Sequence, residues 1–195
     1  ERSLKAGTKG IRIIMTRNSD RFLELSERTS IANANLREGE NGLFLSIHVN
    51  ASVSPRISGF ETYYLSQNPS NEEARTTAAL ENNVVVLEDP QKKGRYGDIE
   101  QMEAFMLTAQ IQKESQTLAG TIQGEMDRKI SGFKSRGVRT ADFFVLRGVL
   151  MPAVLIETGF ITNTREAAAL KRQATQDQIA EGIARGVLQF IKKYN

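Results

Sequence analysis

The sequence contains no cysteine and a single histidine. The first absence excludes disulfides, thiolate nucleophiles and every cysteine-based zinc site, without assigning a compartment. The second restricts metal chemistry. A catalytic zinc normally takes three protein ligands and keeps a fourth position open, so any ligands beyond His48 must be carboxylates. No stretch approaches the roughly 18 apolar residues of a membrane span, so no integral membrane segment is expected. The HExxH, GxSxG, P-loop and GxGxxG patterns are all missing. A serine mechanism through Ser46 or Ser54 therefore has no supporting motif. No secretory leader opens the chain, which begins on Glu1 instead of methionine; the expectation is that an upstream part was removed or not included.

What is present is an ordinary globular composition. At 195 residues the chain is read as one domain, long enough for a real core and with room for an insertion. The net charge of +3 permits attraction to an anionic polymer, whether nucleic acid, anionic membrane or bacterial wall, and does not select among them. The basic clusters Lys92-Lys93 with Arg95, Arg128-Lys129 with Lys134 and Arg136, and Lys192-Lys193 lie apart and are not interleaved with aromatics. They read as solvated surface, and no nucleic-acid partner is expected.

The pattern along the chain alternates strands with helices. Ile11 to Thr16 has strong β propensity. Glu24 to Leu36 reads as a weakly amphipathic helix, and residues 43–48 as the next strand, so the opening is strand, helix, strand with a connection long enough for a parallel crossover. Gly59 to Leu65 is a further strand. Glu72 to about Asn83 reads as a helix with Ser70 as N-cap and two acids in its first turn. Val84 to Leu87 is ambiguous, and Glu88 to Gly97 is a loop. Asp98 to Ile130 reads as one long helix, open to a break near Gly120 or Gly124, with Ile111, Leu118, Ile122, Met126 and Ile130 along one side. Asp142 to Leu146 and Ala153 to Glu157 read as two more strands, the second nearly continuous in apolar residues. Asn163 with Glu166, and Thr175 with Gln178, fit capping boxes that open two helices, the last running 176–193 with Ile179, Ile183, Val187, Leu188 and Ile191 on one side. The fold class is α/β: a mostly parallel central sheet with helices on both faces.

Two residues stand out chemically. His48 closes the apolar run Leu43-Phe44-Leu45-Ser46-Ile47, and Glu157 closes Ala153-Val154-Leu155-Ile156. In an open parallel sheet, ligands gather at the carboxyl ends of strands, so both could share one site. His48 can serve as a metal ligand, a general base or a substrate donor, or be a half-buried structural histidine. Glu157 can take a water proton and pass it to a leaving amine, or it can pair with Arg17, Arg139 or Arg147, because a buried charge needs a partner.

Several segments together resemble the zinc-dependent N-acetylmuramoyl-L-alanine amidases of bacterial cell walls. They are Thr16-Arg17, Leu25-Ser26-Glu27-Arg28-Thr29-Ser30-Ile31-Ala32-Asn33, Ser46-Ile47-His48-Val49-Asn50-Ala51, Gly59-Phe60-Glu61-Thr62-Tyr63, Arg136-Gly137-Val138-Arg139 with Phe144-Val145-Leu146-Arg147, and Pro152 through Asn163. The match covers nearly the whole chain, in the family's order. The resemblance implies the amidase catalytic-domain fold over 1–195. It also implies zinc (Zn2+) as cofactor, peptidoglycan as substrate, and hydrolysis of the amide between N-acetylmuramic acid and L-alanine. Under it His48 matches a zinc-binding histidine and Glu157 the catalytic glutamate, and the location is the cell envelope, periplasmic or extracellular. The family's opening strand with its DPGHGG-like motif, and the glutamate of the following helix, are not found in these residues. The expectation is that these residues alone hold zinc poorly and that the natural protein holds it well. Two alternatives stay open: a non-catalytic wall-binding or regulatory module of the same fold, and a related zinc peptidase.

The stretch between Leu65 and Phe143 is longer than simple members of that family need. It resembles division amidases with an autoinhibitory insertion, here 68–106, in which a helix covers the cleft and a glutamate takes the open zinc position. Glu81 is the residue expected in that role, as an inhibitory metal ligand, with Glu100 and Glu103 as fallbacks. Release would require an activator protein acting on the insertion, for which Val84 to Leu87 and Met102, Phe105 and Met106 are candidate contacts.

Overall fold

The computed structural model describes residues 4, 10–84 and 108–194. A four-stranded sheet lies at its centre in the order β1-β4-β2-β3, formed by β1 (Phe44–Asn50), β2 (Phe60–Leu65), β3 (Ser135–Ala141) and β4 (Ala153–Phe160). β1 runs parallel to β4 and β2 parallel to β3, while β2 and β4 are antiparallel. The sheet is thus mixed but mostly parallel, with helices on both faces, as expected. β4 is buried along its whole length, which is why it reads as an unbroken apolar run.

One face carries α1 (Leu25–Ala34) and α2 (Glu72–Asn82) over a core that includes Phe44, Tyr63, Ala74, Ala78, Phe143 and Leu155. The other carries α3 (Thr108–Lys129) and α5 (Gln173–Tyr194), packed on Phe60, Val154 and Ile156. A short helix, α4 (Thr164–Leu170), precedes α5. The stripe Ile179, Ile183, Val187 and Phe190 meets Leu118, Ile122 and Met126 of α3, which passes unbroken through Gly120 and Gly124. The two helices touch backbone to backbone: a Cβ on Gly186 would lie 2.4 Å from Ile122 Cα.

Several local expectations are corrected. Ile11 to Thr16 is not a strand. It has no ladder partner among the described residues, and β propensity without one does not make a strand. Instead Arg12 ties the segment to Glu40 and to the Asn35 carbonyl at 2.7 Å. Asp142 to Leu146 is not a strand either. The strand falls on the polar residues before it, and Phe144–Leu146 form a 3-10 turn. β3 is a half-exposed edge strand, whereas Phe143, Val145 and Leu146 are apolar because they plug the core. β4 extends through Phe160, past the end expected at Glu157.

The helix caps are also adjusted. The N-cap of α2 is Asn71, whose side chain accepts from the Ala74 amide at 2.9 Å. Asn163 caps α4, but Glu166 does not close the box. Its two oxygens accept from Gly59 N (2.6 Å) and Phe160 N (2.8 Å), stitching the entry of β2 to the end of β4. The proposed box at Thr175 lies inside α5, and Gln178 instead accepts from the Ser131 amide. Val85 to Leu87, the loop 88–97, Glu100, Glu103, Met102, Phe105 and Met106 lie outside the described residues.

Candidate metal centre at the sheet edge

His48 and Glu157 are direct partners in the β1–β4 ladder. Strand alternation sends Ser46, His48 and Asn50 to the face under α2 and leaves Ile47 and Val49 exposed on the other. The ring of His48 is held from both sides. Ser46 Oγ lies 2.8 Å from Nε2, and Glu81 Oε2 of α2 lies 2.6 Å from Nδ1. The Thr158 hydroxyl donates to the His48 carbonyl at 2.9 Å and fixes the strand beneath. The connectivity Glu81–His48–Ser46 resembles an acid–base–serine line, but Ser46 is buried on the core side of its strand. Its hydroxyl orients the imidazole and leaves Nδ1 as the nitrogen turned toward the carboxylates.

Glu157 is fully buried, and neither carboxylate oxygen has a hydrogen-bond partner among the described residues. The partners open to it do not come. Arg139 goes to Glu61 and Glu73, Arg147 to Asp142, and Arg17 to the Arg21 carbonyl. Burial raises the Glu157 pKa well above the ordinary carboxylate range, and the nearby negative charges of Glu81 and Glu61 raise it further. A buried acid without a partner is costly unless a proton or a cation compensates it.

One nitrogen of His48 and one oxygen each of Glu81 and Glu157 lie within 4.8 Å of one another. Two carboxylates converge there on one imidazole, and one of them is orphaned, so the donor set fits a divalent cation. Histidine and carboxylate together suit zinc, and the Ser46 contact supplies the outer hydrogen bond that typically orients a ligating histidine.

Glu61 provides the contrast. It is 1% exposed, yet its Oε1 accepts from Tyr63 Oη (2.7 Å) and Asn50 Nδ2 (3.2 Å), and its Oε2 from Arg136 Nε (3.1 Å) and Arg139 Nε (2.9 Å). Both arginines continue to Glu73 Oε2 on the first turn of α2, at 2.7 and 3.1 Å. Burial and the Glu61 charge push the Tyr63 hydroxyl pKa far up, so it stays a donor. Sequence reasoning missed this network and the roles of Ser46 and Asn50. The only available signal was the polar content of the GFETY and RGVR segments.

The chain matches the family model described as N-acetylmuramoyl-L-alanine amidase over residues 3–189. It is 30% identical over 188 residues to N-acetylmuramoyl-L-alanine amidase LytC of Bacillus subtilis, covering 96% of this chain and 28% of LytC. It is 30% identical over 182 residues to N-acetylmuramoyl-L-alanine amidase AmiA of Salmonella typhimurium, covering 93% of this chain and 61% of AmiA. The chain thus spans less than two thirds of either relative. Among solved structures, an N-acetylmuramoyl-L-alanine amidase from Clostridium difficile 630 superposes with a TM-score of 0.68 at 25% identity, covering all of this chain and 81% of that one.

Proposed function

This chain belongs to the N-acetylmuramoyl-L-alanine amidase family, and on that premise we propose that it hydrolyses the amide between N-acetylmuramic acid and L-alanine in peptidoglycan, with zinc as cofactor. The observation that carries the reading is the Glu157 carboxylate, orphaned among the described residues, beside His48 and Glu81 in the C-terminal halves of two parallel strands. Zinc at this place would be held by His48, and it supplies polarisation of an amide carbonyl and a lowered pKa for water.

The chain's own residues do the rest. Ser46 holds the His48 ring in one orientation. Glu157, kept basic enough by burial to accept a proton, takes it from the attacking water as the C–O bond forms. It then delivers that proton to the departing alanine nitrogen as the C–N bond breaks. With no hydrogen-bond partner among the described residues, both its oxygens are available for these transfers.

Glu81 belongs to a resting state. Its contact with the His48 ring puts a carboxylate where water and substrate must enter, and α2 covers the centre. We read α2 as part of a regulatory insertion over 68–106 that an activator protein withdraws. A peptidoglycan substrate fits a cell-envelope location, periplasmic or extracellular. No described helix is long and apolar enough to cross a membrane.

The test is digestion of purified peptidoglycan with zinc, comparing the parent chain with Glu157→Gln and Glu81→Gln, followed by identification of the new termini. The amidase reading expects free lactyl carboxylates and free L-alanine amines. Glu157→Gln should lose on the order of a hundredfold or more in rate, and Glu81→Gln should gain severalfold. Cleavage at another amide, or no cleavage by a Glu81→Gln form shown to have bound zinc, would sink it.

A further inference from the structure

We propose that Arg136 and Arg139 form an anion-binding subsite of the same cleft, which takes a carboxylate of the stem peptide and in this structure is filled by Glu73. The proposal deepens the amidase reading and rests on it for the identity of the ligand.

The first support is charge. Two guanidinium groups, neither able to deprotonate, face two carboxylates. Glu61 is a permanent partner: it sits on β2, is 1% exposed, and is also held by Tyr63 and Asn50. Glu73 is different, since its side chain is half-exposed on the first turn of α2. With Glu73 withdrawn, the pair keeps one uncompensated positive charge beside the centre.

The second support is preorganisation. Arg136 lies over the Phe160 ring, 5.4 Å from its centroid, and bonds the Ser58 carbonyl. Arg139 is the ladder partner of Tyr63. Gly59, at φ +112°, lets β2 begin against the Lys134 carbonyl, which a Cβ would meet at 2.3 Å. Glu61 thus holds both forks from the sheet side, and Phe160 and Ser58 add to Arg136, while Arg139 also donates to Asn71 Oδ1 at the cap of α2 (3.0 Å), a contact that leaves with Glu73.

The third support is spacing. Glu73, Thr77 and Glu81 form one i, i+4, i+8 stripe on α2. They touch, in order, the arginine pair, Asn50 and His48. Glu61, which anchors the arginines, is the direct β2–β4 partner of Glu157. Eight helical residues rise about 12 Å, a span that an extended peptide covers in about three to four residues. The helix thus occupies two positions together: the reaction centre through Glu81, and an acid-recognising site through Glu73, a few peptide residues away. Its displacement vacates both.

The experiment uses the Glu73→Gln/Glu81→Gln double variant and isothermal titration with two stem tetrapeptides. They differ only in a free carboxylate or a carboxamide on the third side chain, and neither contains the bond an amidase cuts. The expected result is at least tenfold tighter binding of the carboxylate form, with the preference weaker when Glu73 is present and lost in Arg136→Gln/Arg139→Gln. Affinities within threefold of each other in the double variant overturn the proposal, as does a preference that survives in a folded double-arginine variant. Should the arginine variants not fold, the peptide pair alone decides. The termini assay separates the two readings. Cleavage of the muramoyl–alanine amide with no carboxylate preference removes the subsite and leaves the amidase, whereas a carboxylate preference with no cleavage does the reverse.

Discussion

Glu61 and Glu157 are direct partners across β2 and β4, both at most 1% exposed, yet they are treated in opposite ways. Glu61 accepts from two arginines, a tyrosine and an asparagine. Glu157 accepts from nothing among the described residues. The first is a neutralised structural anion. The second is a buried acid that no partner among the described residues compensates, and three of the four predictions below concern this pair and its surroundings.

The pH dependence of stability follows from Glu157. Its folded pKa lies above that of the unfolded chain, about 4.3, because of burial and then the Glu81 and Glu61 charges. Between those two values the native state binds more protons than the unfolded state. Stability contributed by the protonated acid is therefore full below about pH 4.3 and is lost as pH rises through the folded value. Chelated protein should lose stability toward neutral pH from this group, and Glu157→Gln should flatten that part of the profile. Urea midpoints at several pH values check it, and parallel profiles would contradict it.

Zinc binding should show in the melting temperature. A cation held by the native state alone stabilises by about 2.7 kcal/mol at a hundredfold excess over its dissociation constant. The expected outcome is a zinc-dependent rise that His48→Ala abolishes. Glu81→Gln should raise the zinc dissociation constant about tenfold, since it removes one of three converging donors, and so cut the stabilisation at the same zinc to about 1.4 kcal/mol. Calorimetry with and without chelator reads both effects.

Glu61→Gln should destabilise strongly. It leaves Arg136 and Arg139 with the half-exposed Glu73 as their one carboxylate partner among the described residues. Breaking a buried pair by removing one partner typically costs about 3–5 kcal/mol. Chemical denaturation should show a lowered midpoint with an unchanged slope.

Gly186→Ala tests the opposite face of the sheet. The new Cβ would fall 2.4 Å from Ile122 Cα and 2.7 Å from its nitrogen, so α3 and α5 must separate. Overpacking of this kind costs about 1–3 kcal/mol. The melting temperature should fall while the zinc-dependent rise survives, because the helix pair lies across the sheet from His48.

Much of the molecule was legible in local pattern. The α/β class, the stripes on α3 and α5, and the presence of His48 and Glu157 on apolar strands all follow from residue period and burial, which neighbouring residues record together, although both strands run two to three residues beyond them. Where local pattern misled, it reported burial and not hydrogen bonding. Phe143 to Leu146 are apolar because they fill the core, and Ile11 to Thr16 have strand propensity without a ladder partner among the described residues. The sequence by itself therefore determined which residues were apolar, which helices could form and which two polar side chains closed the apolar runs. Only the tertiary structure decided that Glu81 meets the His48 ring, that Arg139 goes to Glu61 and Glu73 instead of Glu157 while Arg147 goes to Asp142, and that β2 runs against β4. Those outcomes depend on contacts between residues far apart in the chain, where direction, distance and desolvation decide which charge is paired and which is left alone.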